Sequence, residues 1–158
     1  MNKQKIKSSL QELIYRLQDA EKGYKEIRLA SSNTIVNKWL DRYASERHNM
    51  HRALEEEIIN LGGDPEVDTT ILGAIHRMFI DIKINTTSPE NEFTAIVNEI
   101  ERGSTTLLND YQKVLSEVEM PPKLVNILND QKQLIKNELG ALTNLRDELL
   151  DATLQVNS

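Results

Sequence analysis

The chain has 158 residues, 19 Lys plus Arg against 25 Asp plus Glu, a net charge of −6 and no cysteine. That length suits a single domain, residues 1–158, with a core of its own, and the missing thiols exclude disulfides, iron–sulfur clusters, thiolate zinc sites and cysteine nucleophiles. Without a basic block or an apolar run near the ~20 residues of a membrane span, an acidic chain points to no nucleic acid and no membrane as partner.

The opening stretch, MNKQKIKSSLQELIYRL, is basic but has no apolar run before Gln11 and Glu12. It does not read as a secretory signal, and a cytoplasmic protein is expected. Glycine, proline and aromatic residues are scarce, which favours helices over a sheet sandwich. The first segment, Ser8 to Ala30, carries Leu10, Leu13, Leu17, Ala20, Tyr24 and Ile27 at helical spacing. Ser31, Ser32 and Asn33 interrupt it and offer caps for the next helix. The second, Thr34 to Leu61, has the stripe Ile35, Trp39, Tyr43, Met50, Ala53 and Ile58, and Gly62-Gly63 ends it.

The third segment, Thr69 to Ile84, is short and apolar on a wide face. Ser88-Pro89 is a helix-start signal. The fourth segment, Pro89 to Val118, carries Phe93, Ile96, Val97, Ile100, Leu107, Leu108, Tyr111, Val114 and Leu115. Pro121-Pro122 breaks the chain, and the fifth segment, Pro122 to Leu150, carries Leu124, Leu128, Ile135, Leu142, Leu145 and Leu149. Four long helices and a short one in an extended crossover predict an up–down bundle with one long connection.

Polar residues that interrupt the stripes are the candidates for chemistry. Each long helix places one glutamate on its inward line: Glu21, Glu46, Glu101 and Glu138. Counted from the turns, the pairs Glu21/Glu46 and Glu101/Glu138 fall at similar heights. Four inward carboxylates in one layer need a divalent cation, protonation, or basic and amide partners. Di-iron and di-manganese bundles use the cation, with a histidine three residues after two of the carboxylates. Here those positions hold Tyr24, Asn49, Ser104 and Ala141, so the oxygen donors are present and the nitrogen donors are not. In the metal reading Asn49 and Gln131 would orient the ligands, with Tyr24 as a nearby redox or hydrogen-bonding group. In the other reading the acids pair with Arg42, Arg102, Asn49, Gln131 or tyrosine hydroxyls.

His48 and His51, one helical turn apart with Glu55 a turn further, form an alternative surface metal pair that would suit zinc. His48 lies about 200° from Glu46 around the helix, off the proposed inner line. His76, on the short segment, reads as a capping or hydrogen-bonding residue. No nucleophile with a base at hand stands out, and no catalytic residue is assigned.

Several stretches together resemble a known family: Asp19-Ala-Glu-Lys-Gly-Tyr24, Ala44-Ser-Glu-Arg-His-Asn-Met50, Leu61-Gly-Gly-Asp-Pro-Glu66, Gly73-Ala-Ile-His-Arg77, Glu101-Arg-Gly103, Pro121-Pro122 and Leu145-Arg-Asp147. The chain resembles the bacterial PA2169-like family of ferritin-like bundles, the domain of unknown function 2383. The resemblance implies an all-α, ferritin-like, left-handed four-helix bundle, and no established activity. It also implies that the short helix packs on the bundle at a fixed place. Where the family often reads Glu-Arg-Gly-Glu, this chain has Glu101-Arg-Gly-Ser104, which removes a carboxylate.

The fold expected is therefore that bundle with an extra short helix in the crossover between the second and third long helices. Two functions stand against each other. One is a non-catalytic, stress-related or structural bundle acting through association, most simply as a homodimer through an apolar face of the crossover region, the sequence identifying no other protein partner. The other is a carboxylate-rich bundle that binds iron or manganese and performs oxidase or peroxide chemistry. A storage cage is a weaker third, since no cage interface is legible.

Overall fold

A computed structural model describes residues 2–66 and 89–156. Its helices are α1 (Lys3–Ala30), α2 (Thr34–Asn60), α3 (Pro89–Glu117) and α4 (Pro122–Val156), and no strand occurs among the described residues. These correspond to the four long segments marked by apolar spacing. The short helix expected over Thr69–Ile84, with His76 and Arg77, lies outside the described residues.

Local chemistry sets the helix ends. α1 starts ahead of Ser8 because the Asn2 side chain accepts the Lys5 N–H and Ile6 continues the stripe into the core. Asn33 caps α2 by accepting from the N–H groups of Ile35 and Val36. Gly62, at φ +81°, closes α2 in the left-handed region that a Cβ disfavours. Pro122 opens α4, with the Pro121 carbonyl accepting from Leu124 and Val125.

Side-chain contacts fix the directions. Arg28 meets Asp41 and Glu21 meets His48, so α1 and α2 are antiparallel. Tyr24 meets Ser104 and Arg16 meets Asp110, so α1 and α3 are antiparallel. Arg47 meets Glu138, Gln131 meets the Met50 carbonyl and Lys123 meets Glu57, so α2 and α4 are antiparallel. It follows that α2 and α3 run parallel. The chain leaving Leu61 at one end of the bundle re-enters at the other end with Pro89.

The apolar stripes bury into two clusters. One holds Ile6, Leu10, Leu13, Leu17, Met50, Leu54, Leu107, Tyr111, Leu128 and Ile135. The other holds Tyr24, Ile27, Val36, Leu40, Tyr43, Ile96, Ile100, Leu142 and Leu145. Each buried Leu or Ile side chain contributes roughly 1.5–3 kcal/mol over its exposed state. Between the clusters, every helix places a buried polar residue at the same level: Glu21 on α1, Arg47 on α2, Ser104 on α3 and Glu138 on α4. On α1 and α4 these are the glutamates that the spacing picks out; on α2 and α3 they are not.

Candidate metal centre

Glu21 and the two histidines of α2 meet on the α1–α2 seam. His48 and His51 are three residues apart, so both rings project from one face of α2, with centroids 5.0 Å apart. Antiparallel packing sets Glu21 opposite them. Its Oε1 lies 2.7 Å from His48 Nδ1 and 3.2 Å from His51 Nε2. Each of the three residues offers a ligand atom within 4.8 Å of the other two. Around a tetrahedral ion with bonds of ~2.0–2.1 Å, neighbouring ligand atoms stand roughly 3.3 Å apart, so small side-chain rotations would admit a metal.

The surroundings prepare the three donors. On the far side of its ring, His51 Nδ1 lies 2.9 Å from Glu55 Oε2. In a metal-bound state Nε2 would face the ion with its lone pair and Nδ1–H would donate to Glu55; carboxylates orient metal-binding imidazoles in this way. Glu21 and His51 are buried, whereas the His48 side chain is 50% exposed. Burial pushes Glu21 up, but hydrogen bonds from His48 and His51 and the charge of Lys25 outweigh it and hold the carboxyl below its ordinary range. It is thus a carboxylate at neutral pH, as a ligand must be. Lys25 Nζ lies 3.5 Å from Glu21 Oε2 on the solvent side.

The bundle interior at this level is filled by a protein cation. Arg47, 0% exposed, donates from Nη1 and Nη2 to the two oxygens of Glu138 at 3.2 and 2.6 Å. Its guanidinium also lies 5.8 Å from the Tyr24 ring centre. Glu46 receives Arg42 Nε at 3.0 Å and lies beside Glu138. Burial and Glu46 push Glu138 up to about 8, with Arg47 working against them. Burial also raises Glu46, but the neighbouring Glu138 and Arg42 hold it below its ordinary range. The two carboxyls therefore titrate together. The Tyr43 hydroxyl, whose titration burial pushes upward, donates to the Glu138 carbonyl at 3.4 Å.

The four glutamates of the expected site do not meet. Glu21 joins His48 and His51; Glu46 and Glu138 stand together between Arg42 and Arg47; Glu101 is exposed and paired with Arg146. The inward position on α3 is Ser104, one turn on from Glu101, and on α2 it is Arg47, one residue on from Glu46. Of the expected orienting groups, Asn49 is exposed. Gln131 is buried, accepts the Tyr111 hydroxyl and donates to the Met50 carbonyl. Tyr24 sits against Arg47 with its hydroxyl 3.5 Å from Ser104 Oγ. A dinuclear centre does not fit this interior, because arginines already occupy the carboxylates it would need.

Sequence spacing singles out Glu21, His48, His51 and Glu55 without joining them. What joins them is the register of α1 against α2, which pairs Arg28 with Asp41 and so brings Glu21 to His48. Among known families, the one described as a domain of unknown function, DUF2383, matches residues 5–117. That span contains all four of these residues and ends before Glu138. No curated protein matches the chain.

Proposed function

The chain belongs to the DUF2383 family, and we propose that it is a ferritin-like bundle that binds one divalent transition-metal ion on the α1–α2 seam rather than two in its core. The bundle assignment draws support from the parallel α2 and α3 and the end-to-end connection between them, the arrangement of a bundle with one long crossover. The metal reading is carried by one observation: Glu21, His48 and His51 each offer a ligand atom within 4.8 Å of the other two. Two imidazoles and one carboxylate suit zinc or ferrous iron better than calcium or magnesium, which prefer all-oxygen shells.

Calorimetric titration of the chelator-stripped protein with Zn(II), and anaerobically with Fe(II) and Mn(II), tests this. One equivalent should bind, and Glu101→Ala should leave it in place. Binding of two equivalents, lost in Glu101→Ala, would refute the seam site. Glu55→Gln should keep the ion but weaken its affinity by roughly 10–100-fold, because His51 loses the carboxylate that orients it. An unchanged affinity would remove Glu55 from the site.

Association is a second reading with one observation behind it. Leu29 is 87% exposed and Ile35 44%, flanking the α1–α2 turn at one end of the bundle. A homodimer covering that end should dissociate in Leu29→Lys. Light scattering that gives a monomer mass for the unmodified protein would dispose of it.

A further inference from the structure

We propose that the metal ion held by Glu21, His48 and His51 keeps an open coordination position toward solvent, and that a small anion binds there against the Lys25 ammonium. This rests on the metal reading above and adds the class of ligand that reading leaves unspecified.

The site is lopsided. Its inner wall is made by Glu21 and His51, both under a tenth exposed, whereas His48 and Lys25 stand at the rim with side chains 50% and 63% exposed. Among the described residues, no fourth histidine, aspartate or glutamate joins the group. Glu55, the nearest further carboxylate in the chain of contacts, is turned to His51 Nδ1 on the far side of the ring and is used there. Three protein donors leave a four-coordinate ion one place short. Ions bound in this way fill that place with water or an exchangeable ligand, and two histidines with one carboxylate leave still more positions open on iron.

Charge selects the ligand. A divalent ion gains only one negative charge from Glu21 and none from the imidazoles. Lys25 then adds a further positive charge, with Nζ 3.5 Å from Glu21 Oε2. Once Glu21 bonds the metal, its charge is drawn to the ion, and Lys25 is left with less of the partner that held it. The rim therefore presents a metal and an ammonium side by side, a pair that favours an anion over the neutral water it would displace and repels a cation.

The test uses the full-length protein loaded with one equivalent of Co(II), whose visible absorption reports coordination, titrated with azide at constant ionic strength. The bands should shift along a saturable curve. In Lys25→Met, azide affinity should fall on the order of two- to fivefold, the weight of a partly exposed charge, with Co(II) still bound. Bound cobalt whose spectrum azide leaves unmoved would overturn the open position while sparing the metal site. A normal azide affinity in Lys25→Met would overturn the role of Lys25. Failure to bind cobalt at all would overturn the metal reading, and this proposal with it.

Discussion

Arg47→Met should cost the bundle about 3–5 kcal/mol, seen in urea melts as a lower midpoint with an unchanged slope. At roughly 2–4 °C per kcal/mol for a chain of this size, the melting temperature should fall by roughly 6–20 °C. The side chain is fully buried and holds both oxygens of Glu138. Methionine fills the same stem but removes the only cation among the described buried residues that reaches Glu138, so two carboxyls face each other in the core. The loss comes from the charge of the Glu46–Glu138 pair left without Arg47, not from the missing pair as such. Replacing both partners, as Arg47→Met with Glu138→Leu, should therefore recover more than half of it. A single variant as stable as the parent would mean that Arg47 does not carry the interior charge.

The same cluster fixes a pH dependence. Glu138 is raised to about 8 in the fold, above its ordinary range. The folded chain thus holds a proton that the unfolded chain has released, so this contribution is complete at low pH and is lost as pH climbs to about 8. A tenfold difference in proton affinity between the folded and unfolded chains is worth ~1.4 kcal/mol, enough for urea melts taken at successive pH values to record the decline. Glu138→Gln, which cannot ionise, should flatten that decline between about pH 5 and 8. Glu21 and Glu46, held low, act with the opposite sign and only at more acidic pH.

His51→Ala should abolish the metal response of the protein. A ligand at a hundredfold excess over its dissociation constant stabilises the fold by about 2.7 kcal/mol, so saturating metal should raise the melting temperature of the parent by roughly 5–10 °C. The variant removes one donor atom and leaves Glu55 without its imidazole partner. Its apo form should stay folded, since the ring lies on the seam and not within either apolar cluster. A metal-dependent rise that survives His51→Ala would place the ion elsewhere.

Helix positions are legible in the sequence because apolar spacing, caps and Pro-Gly punctuation are local. Asn33, Gly62 and Pro122 stand where the sequence marks helix ends. The polar layer is legible in height but not in membership. On α2 the stripe through Ile35 and Trp39 is turned from the buried one, which runs Val36, Leu40, Tyr43, Arg47, Met50 and Leu54. An arginine reads as a surface residue, so spacing alone favours Glu46 over Arg47. On α3 the inward residue is a serine, which announces nothing, and Glu101 one turn before it is exposed in the fold. Pairings across helices depend on register, and no single stripe encodes register. That is why Glu21 and His48 stand out separately in the sequence and meet only in the fold.

The most direct test of the seam site is an anomalous diffraction map from crystals of the protein soaked in zinc, recorded at the zinc absorption edge. One peak should stand among Glu21 Oε1, His48 Nδ1 and His51 Nε2, about 2.0–2.2 Å from each, with Arg47 still seated on Glu138. A peak among Glu46, Glu101 and Glu138, or a seam without density at full zinc occupancy elsewhere in the crystal, would contradict it.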